Sequence, residues 1–213
     1  MKPAIAVFAK APVPGLAKTR LMPALGAEGA AALAARLLEH AATQAVAAAL
    51  GPVTLWATPD LHHPIWARLQ QSLGVALAVQ APGDLGQRMA QAFGATAGPL
   101  LLMGSDLPAQ DAAVLRAAAA CLAGHDAVFV PALDGGYGLV GLRQATPTAL
   151  QCLFDGMCWS TPQVMAQTRQ RLATAGLRHA ELPTLPDIDE PADLVHLPEG
   201  WSVAPTHVPG NSP

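Results

Sequence analysis

The sequence predicts a three-layer α/β/α sandwich on a mostly parallel, mixed sheet. It fills one domain over residues 1–197, followed by a loose tail from 198 to 213. Three observations carry this. Apolar runs of strand length alternate with segments of helical length from residue 3 onward. The strand runs are continuously apolar rather than alternating, as in strands covered on both faces. At 213 residues, with 52% hydrophobic and 13% charged, the chain is long and apolar enough for one large core and unlike a disordered chain.

The elements follow in order. "PAIAVFA" (3–9) reads as the first strand. A long helix is expected over 27–50, with Leu33, Leu37 and Leu38 on one face and Arg36, Glu39 and Gln44 mostly elsewhere. "PVTLWAT" (52–58) is a strand, 61–73 a helix, "VALAVQ" (75–80) a strand and roughly 85–96 a helix. "PLLLMG" (99–104) is the next strand, 109–123 a helix and "AVFVPAL" (127–133) a strand. "YGLVGL" (137–142), with its alternating glycines, reads as an antiparallel addition at the sheet edge. "WSTPQ" (159–163) starts a helix, Ser160 and Gln163 having capping-box spacing and Pro162 lying in the first turn. "RHAEL" (178–182) is a candidate for closing the sheet. The tail from Pro198 holds four prolines and no hydrophobic period.

Composition excludes several function classes. A net charge of −3 argues against nucleic-acid binding driven by counterion release. Cys121, Cys152 and Cys158 are odd in number and lack C-x-x-C spacing, so they read as free thiols of a cytoplasmic protein without a zinc site. The apolar run after Lys2 reaches only Ala9 before Lys10 interrupts it, too short for a signal peptide. Arg36, Glu39, His40 and Gln44 argue against a membrane span in the alanine-rich segment 30–50.

In open parallel sheets, ligands sit beyond the carboxyl ends of the strands, and there this chain is most unusual. Only three lysines occur, and Lys10 and Lys18 flank the first such loop, "FAKAPVPGLAKTRL" (8–21). Pro12 and Pro14 hold the loop extended, and Gly15 permits a sharp bend. Lys10, Lys18, Thr19 and Arg20 together form a candidate phosphate cradle, Arg20 being able to grip a phosphate bidentately. Pro12 stands where a Walker loop needs glycine. A surface turn with solvated cations is the plain alternative.

At the end of the 99–104 strand, "GSDLP" presents Asp106, a single carboxylate of the kind Mg²⁺ takes together with water and substrate phosphates. Alternatively Asp106 caps the next helix, with Pro108 marking its start. In "PALDGGYGL" (131–139), Gly135 and Gly136 allow close backbone approach to a ligand and Asp134 and Tyr137 offer polar contacts; a hairpin turn is compatible with both. In "PGDLGQRM" (82–89), Asp84 either caps a helix or, with Gly83 and Gly86, faces a base or sugar while Arg88 contacts phosphate. "LPDIDEPADL" (185–194) is the densest acidic stretch. Asp187 and Asp189 are candidates for a second metal carboxylate, and ordinary helix-start chemistry is the alternative.

These stretches, with "WST" (159–161), occur in the order seen in a bacterial family of GT-A-type, glycosyltransferase-like proteins of the radical-SAM-associated transferase type. The sequence resembles that family from about residue 3 to 195. Through it the chain resembles the nucleotide-diphospho-sugar transferase superfamily, which includes 2-phospho-lactate guanylyltransferase and the nucleotidyltransferase of molybdenum-cofactor maturation. The resemblance implies a GT-A, Rossmann-like sandwich. It also implies phosphates held by Gly15, Lys18 and Arg20, metal on Asp106 with Asp187 or Asp189, nucleotide near "GDLGQRM" and acceptor near "DGGY".

The chain has no D-x-D pair at 104–106, which disfavours metal-dependent glycosyl transfer. The expected activity is therefore Mg²⁺- or Mn²⁺-dependent nucleotidyl transfer from a nucleoside triphosphate to a small phosphorylated or hydroxyl acceptor, with pyrophosphate released. The alternatives are a glycosyltransferase using a nucleotide-sugar, a nucleotide-binding module without turnover, and a protein whose loops are structural and bind no nucleotide.

Overall fold

In a computed structural model that describes residues 1–201, the chain forms the expected sandwich. Seven strands, β1 (Ala4–Lys10), β2 (Val53–Thr58), β3 (Ala76–Val79), β4 (Leu100–Met103), β5 (Ala127–Pro131), β6 (Tyr137–Leu142) and β7 (His179–Glu181), pair in the order β3-β2-β1-β4-β6-β5-β7. All pairings are parallel except those of β6, which runs antiparallel to both neighbours.

Among the described residues, six α-helices cover the two faces: α1 (Met22–Ala47), α2 (Pro64–Leu73), α3 (Leu85–Gly94), α4 (Ala112–Cys121), α5 (Pro147–Phe154) and α6 (Val164–Thr174). Alternation along β1 divides the core. Ile5, Val7 and Ala9 face α1, α2 and α4, while Ala6 and Phe8 face α3, α5 and α6. Both faces of the sheet are thus dry, which is why its strands read as unbroken apolar runs.

The segment Thr19–Ala47 is long and apolar enough to meet the composition of a membrane span, with mean hydropathy 1.3. Here it lies against the sheet, with Leu38, Ala41, Ala42 and Ala45 in the core. Gly26 (φ 69°, ψ 171°) breaks α1, so its regular part begins at the expected residue 27; it ends at Ala47 rather than 50.

Three expectations change. β6 is not an edge addition but lies between β4 and β5. Its glycines serve close packing: a Cβ on Gly138 would come within 2.4 Å of Leu107, and one on Gly141 within 2.6 Å of both Leu101 and Val128. The last long helix does not start at Ser160, which sits at φ 60°. It starts at Val164, where Met165 N–H donates to Gly135 O (2.9 Å) and ties α6 to the Asp-Gly-Gly turn. Finally, α5 was not foreseen, although Thr146 caps it at Ala149 N–H (3.2 Å) and Pro147 opens it, a standard start signal.

Of the tail expected to be loose, residues 202–213 lie outside the described residues. Residues 198–201 bring Trp201 under the Arg36 guanidinium, 4.3 Å from the ring centroid.

Candidate active site

The strand order creates one switch point. From β1 the chain winds outward through β2 and β3, then returns to β4 on the other side of β1, so the loops leaving β1 and β4 diverge around a crevice. A cleft of about 600 Å³ opens there, lined by both loops, the Asp-Gly-Gly turn, the 159–161 turn and the acidic segment near residue 188.

Topology alone brings that acidic segment in. β7 adds parallel to β5, and the chain then continues alongside the end of β5, Leu185 N–H donating to Pro131 O (3.0 Å) and Leu133 N–H to Leu185 O (3.2 Å). Three residues later Ile188 N–H donates to Asp106 O (2.9 Å). Ile188 is fully buried among Leu21, Leu25, Leu33 and Leu37, while its flanking residues Asp187 and Asp189 line the cleft. The apolar residue is thus the anchor that presents the two carboxylates. Ile188→Ala should cost about 2–4 kcal/mol through the cavity it leaves. It should also weaken whatever Asp187 and Asp189 bind, which thermal melting with and without nucleotide will read.

Lys18 joins the parts. Its backbone is left-handed (φ 48°), a strained conformation for a residue with a side chain, and its side chain is only 8% exposed. The ammonium lies 2.7 Å from Asp106 Oδ1 and 3.7 Å from Asp189 Oδ1, and it donates to Ile188 O. Its donors are therefore occupied by protein oxygens, and the residue ties the β1 loop to the β4 loop and to the acidic segment. Arg20 is 64% exposed; one of its nitrogens holds Asp189 Oδ2 at 2.7 Å, leaving other guanidinium donors to face the cleft. Lys10 lines the cleft and donates to Leu16 O (2.8 Å), and Thr19 also lies in the lining.

Asp106 does not cap the following helix. Asp111 does, accepting from Ala113 and Val114 N–H at 2.9 Å. Asp187 has no cation in any ion pair among the described residues. Burial raises its pKa, and the nearby charges of Asp134, Asp193 and Asp189 push the same way. Asp189, by contrast, is already engaged by Arg20 and Lys18.

Asp134, Gly136 and Tyr137 also line the cleft, Asp134 Oδ1 accepting from Gly136 N–H (2.8 Å). Gly15, Gly83, Asp84, Gly86, Arg88 and Gly135 are not in the lining, and each has a local task. Gly15 (φ 79°) and Gly83 (φ 117°) take turn conformations suited to glycine. Asp84 forms a capping box with Gln87 at the start of α3, and Arg88 donates to Gly83 O (2.9 Å). Gly135 passes so close to Pro162 O that a Cβ would come within 2.1 Å of it.

Gly86 makes room for Trp159, whose indole would lie 2.9 Å from a Cβ there. Gly86→Ala should cost about 1–3 kcal/mol of overpacking despite the better helix propensity of alanine. It should also shift the Trp159 fluorescence, read against a Trp159→Phe control.

Trp159 and Thr161 also line the cleft, although the sequence pattern of 159–161 marks only a helix start. Phe8, Leu85 and Met89 contribute an apolar wall that no motif marks. Apolar residues at helix and strand spacing look alike whether they face a core or a cleft, so nothing local distinguished them.

Residues 34–161 match the family described as an uncharacterized protein conserved in bacteria, DUF2064. The chain belongs to this family. The DUF2064 chain is 30% identical to a protein from Desulfovibrio desulfuricans G20 described as a nucleotide-diphospho-sugar transferase, with a TM-score of 0.80 over 91% of this chain and 85% of that one. At 16% identity it shares its fold with a nucleotidyl transferase from Methanothermobacter thermautotroptrophicus, with a TM-score of 0.59 over 91% and 95% of the two chains. At 14% it shares the fold of CMP:2-keto-3-deoxy-manno-octonic acid synthetase in complex with CTP, with a TM-score of 0.57 over 92% and 96%. No curated protein matches the DUF2064 sequence. The fold is that of nucleotide-diphospho-sugar transferases, and the structural neighbours are nucleotidyl and sugar transferases.

Proposed function

We propose that this DUF2064 protein is a divalent-metal-dependent nucleotidyltransferase acting on a nucleoside triphosphate and a small acceptor. The observation that carries the reading is the convergence, at the switch point of the sheet, of the Lys18–Arg20 loop with Asp106 and the Asp187–Asp189 segment. The phosphates would lie along the β1 loop, where Arg20 and Lys10 face the cleft; Lys18 would fix the loop and contribute its charge at short range.

The donor set fits Mg²⁺ or Mn²⁺. Asp106 and Asp187 would supply hard carboxylate oxygens; Asp187 is half-buried beside other carboxylates and is in no ion pair among the described residues. No group of three or more His, Cys, Asp or Glu side chains stands together as a ligand set among the described residues. In this reading substrate phosphates and water would complete the metal's shell. When bound, it would neutralise charge on those phosphates. The chain supplies no nucleophile in this reading; its residues position the α-phosphorus for in-line attack and hold the acceptor.

A second reading, glycosyl transfer from a nucleotide-sugar, is favoured by the description of the Desulfovibrio relative. Products separate the two: nucleotidyl transfer releases pyrophosphate, sugar transfer a nucleoside diphosphate. A thermal-shift panel of nucleoside triphosphates and nucleotide-sugars, with and without Mg²⁺ or Mn²⁺, tests both readings. A triphosphate should raise the Tm most and only with metal, by mass action. A nucleotide-sugar giving the largest shift supports the second reading, and no shift from any nucleotide refutes both.

A further inference from the structure

We propose that the acceptor half of the cleft takes an uncharged ring alcohol, and that its hydroxyl rather than a phosphate attacks the α-phosphorus; this rests on the nucleotidyl-transfer reading above. The charges of the lining are partitioned. Its cations, Lys10, Lys18 and Arg20, all belong to the β1 loop. The wall formed by the Asp-Gly-Gly turn and the 159–161 turn contributes one charged side chain, the carboxylate of Asp134, which is in no ion pair among the described residues.

Asp134 Oδ1 accepts from Gly136 N–H, so its other oxygen is left to accept from a ligand. A phosphate monoester placed there would face that carboxylate, and the wall itself contributes no lysine or arginine. Like charges repel there. A hydroxyl meets no such penalty and donates to the free oxygen.

Two independent features point to the same ligand. Tyr137 stands in the wall with its hydroxyl buried and without a hydrogen-bond partner among the described residues. An orphaned polar atom of this kind is costly until a ligand oxygen satisfies it. Trp159, seated in the space left by Gly86, stands edge-on to Tyr137 with ring centroids 6.4 Å apart at 86°. Together the two rings offer an aromatic surface to the C–H face of a cyclic compound.

The step balances without a further reactant. The acceptor hydroxyl oxygen bonds to the α-phosphorus, the bond from that phosphorus to the bridging oxygen breaks, and pyrophosphate leaves with the electron pair. The hydroxyl proton passes to the Asp134 carboxylate and then to solvent. An ionised phosphate acceptor would need no such base, so a carboxylate in this position suits a hydroxyl.

The test uses the full chain and Trp159 fluorescence, with Trp159→Phe as the control. The probes are glucose against glucose 1-phosphate and myo-inositol against its 1-phosphate, in parallel with the nucleotide thermal shift. Each neutral member should bind about tenfold tighter than its phosphate, Asp134→Asn should narrow that ratio, and Tyr137→Phe should weaken the neutral member by up to about tenfold. Phosphorus NMR should show that the nucleotidylated acceptor carries a phosphodiester rather than a pyrophosphate linkage, beside the released pyrophosphate. Phosphates binding as tightly as their parents, or no neutral ring alcohol binding while nucleotide still shifts the Tm, overturns this inference and leaves the nucleotide site standing. Loss of the nucleotide shift itself refutes the reading beneath it.

Discussion

Asp106→Asn is expected to lower kcat for pyrophosphate release by about two to three orders of magnitude while the protein stays folded. The two outcomes separate because asparagine keeps the shape and one acceptor oxygen. Lys18 Nζ, 2.7 Å from Oδ1 in the native cleft, can still donate to the amide oxygen, and Ile188 N–H donates to the backbone oxygen of residue 106, which the change leaves in place. What disappears is the negative charge, which in the proposed reading holds a divalent cation against the substrate phosphates. A fall in Tm of no more than a few degrees, measured on the sample used for kinetics, is the expected companion. Near-native kcat in Asp106→Asn would remove Asp106 from the metal role.

Lys18→Met should act on structure and activity together. Methionine retains a flexible chain of similar length but deletes the ammonium that holds the Asp106 carboxylate and Ile188 O, leaving both without that partner. About 1–3 kcal/mol of stability should be lost, and the Tm should fall by several degrees. The strained φ of residue 18 remains in the variant, so nothing is gained in return. Because Lys18 ties together segments 88 and 170 residues away in sequence, its loss should also raise KM for the nucleotide by loosening the acidic segment. Lys18→Arg should not restore it, since a planar guanidinium does not replace a compact ammonium in a nearly closed site. Combining Lys18→Met with Asp106→Asn should cost less stability than the sum of the two, the signature of a direct pair. Strict additivity would show that the pair contributes nothing.

Much of this was legible because of where the residues fall. A parallel sheet buries both faces of its strands, so β1, β4 and β5 appear as largely unbroken apolar runs, and the loops at their ends stand out by composition. The glycines of β6 misled for a physical reason: the same absence of a side chain that marks weak edge strands also admits Leu107 and Leu101 against an interior one. The stretch "GDLGQRM" combined two duties that spacing could not separate. Asp84 closes a capping box, while the packing that matters to the cleft falls to Gly86 through Trp159.

From its own residues the chain determined a lysine-poor molecule with two of its three lysines and an arginine gathered after the first strand, a lone aspartate after the fourth, and an acidic segment near its end. Tertiary structure decided what these groups do to one another. Burial of Ile188 and the parallel addition of β7 carry the acidic segment across the sheet to Asp106, and the ammonium of Lys18 is thereby enclosed by protein oxygens. Such encounters depend on strand order and on which side chain excludes water. These are properties of contacts between distant segments, and no local pattern of residues encodes them.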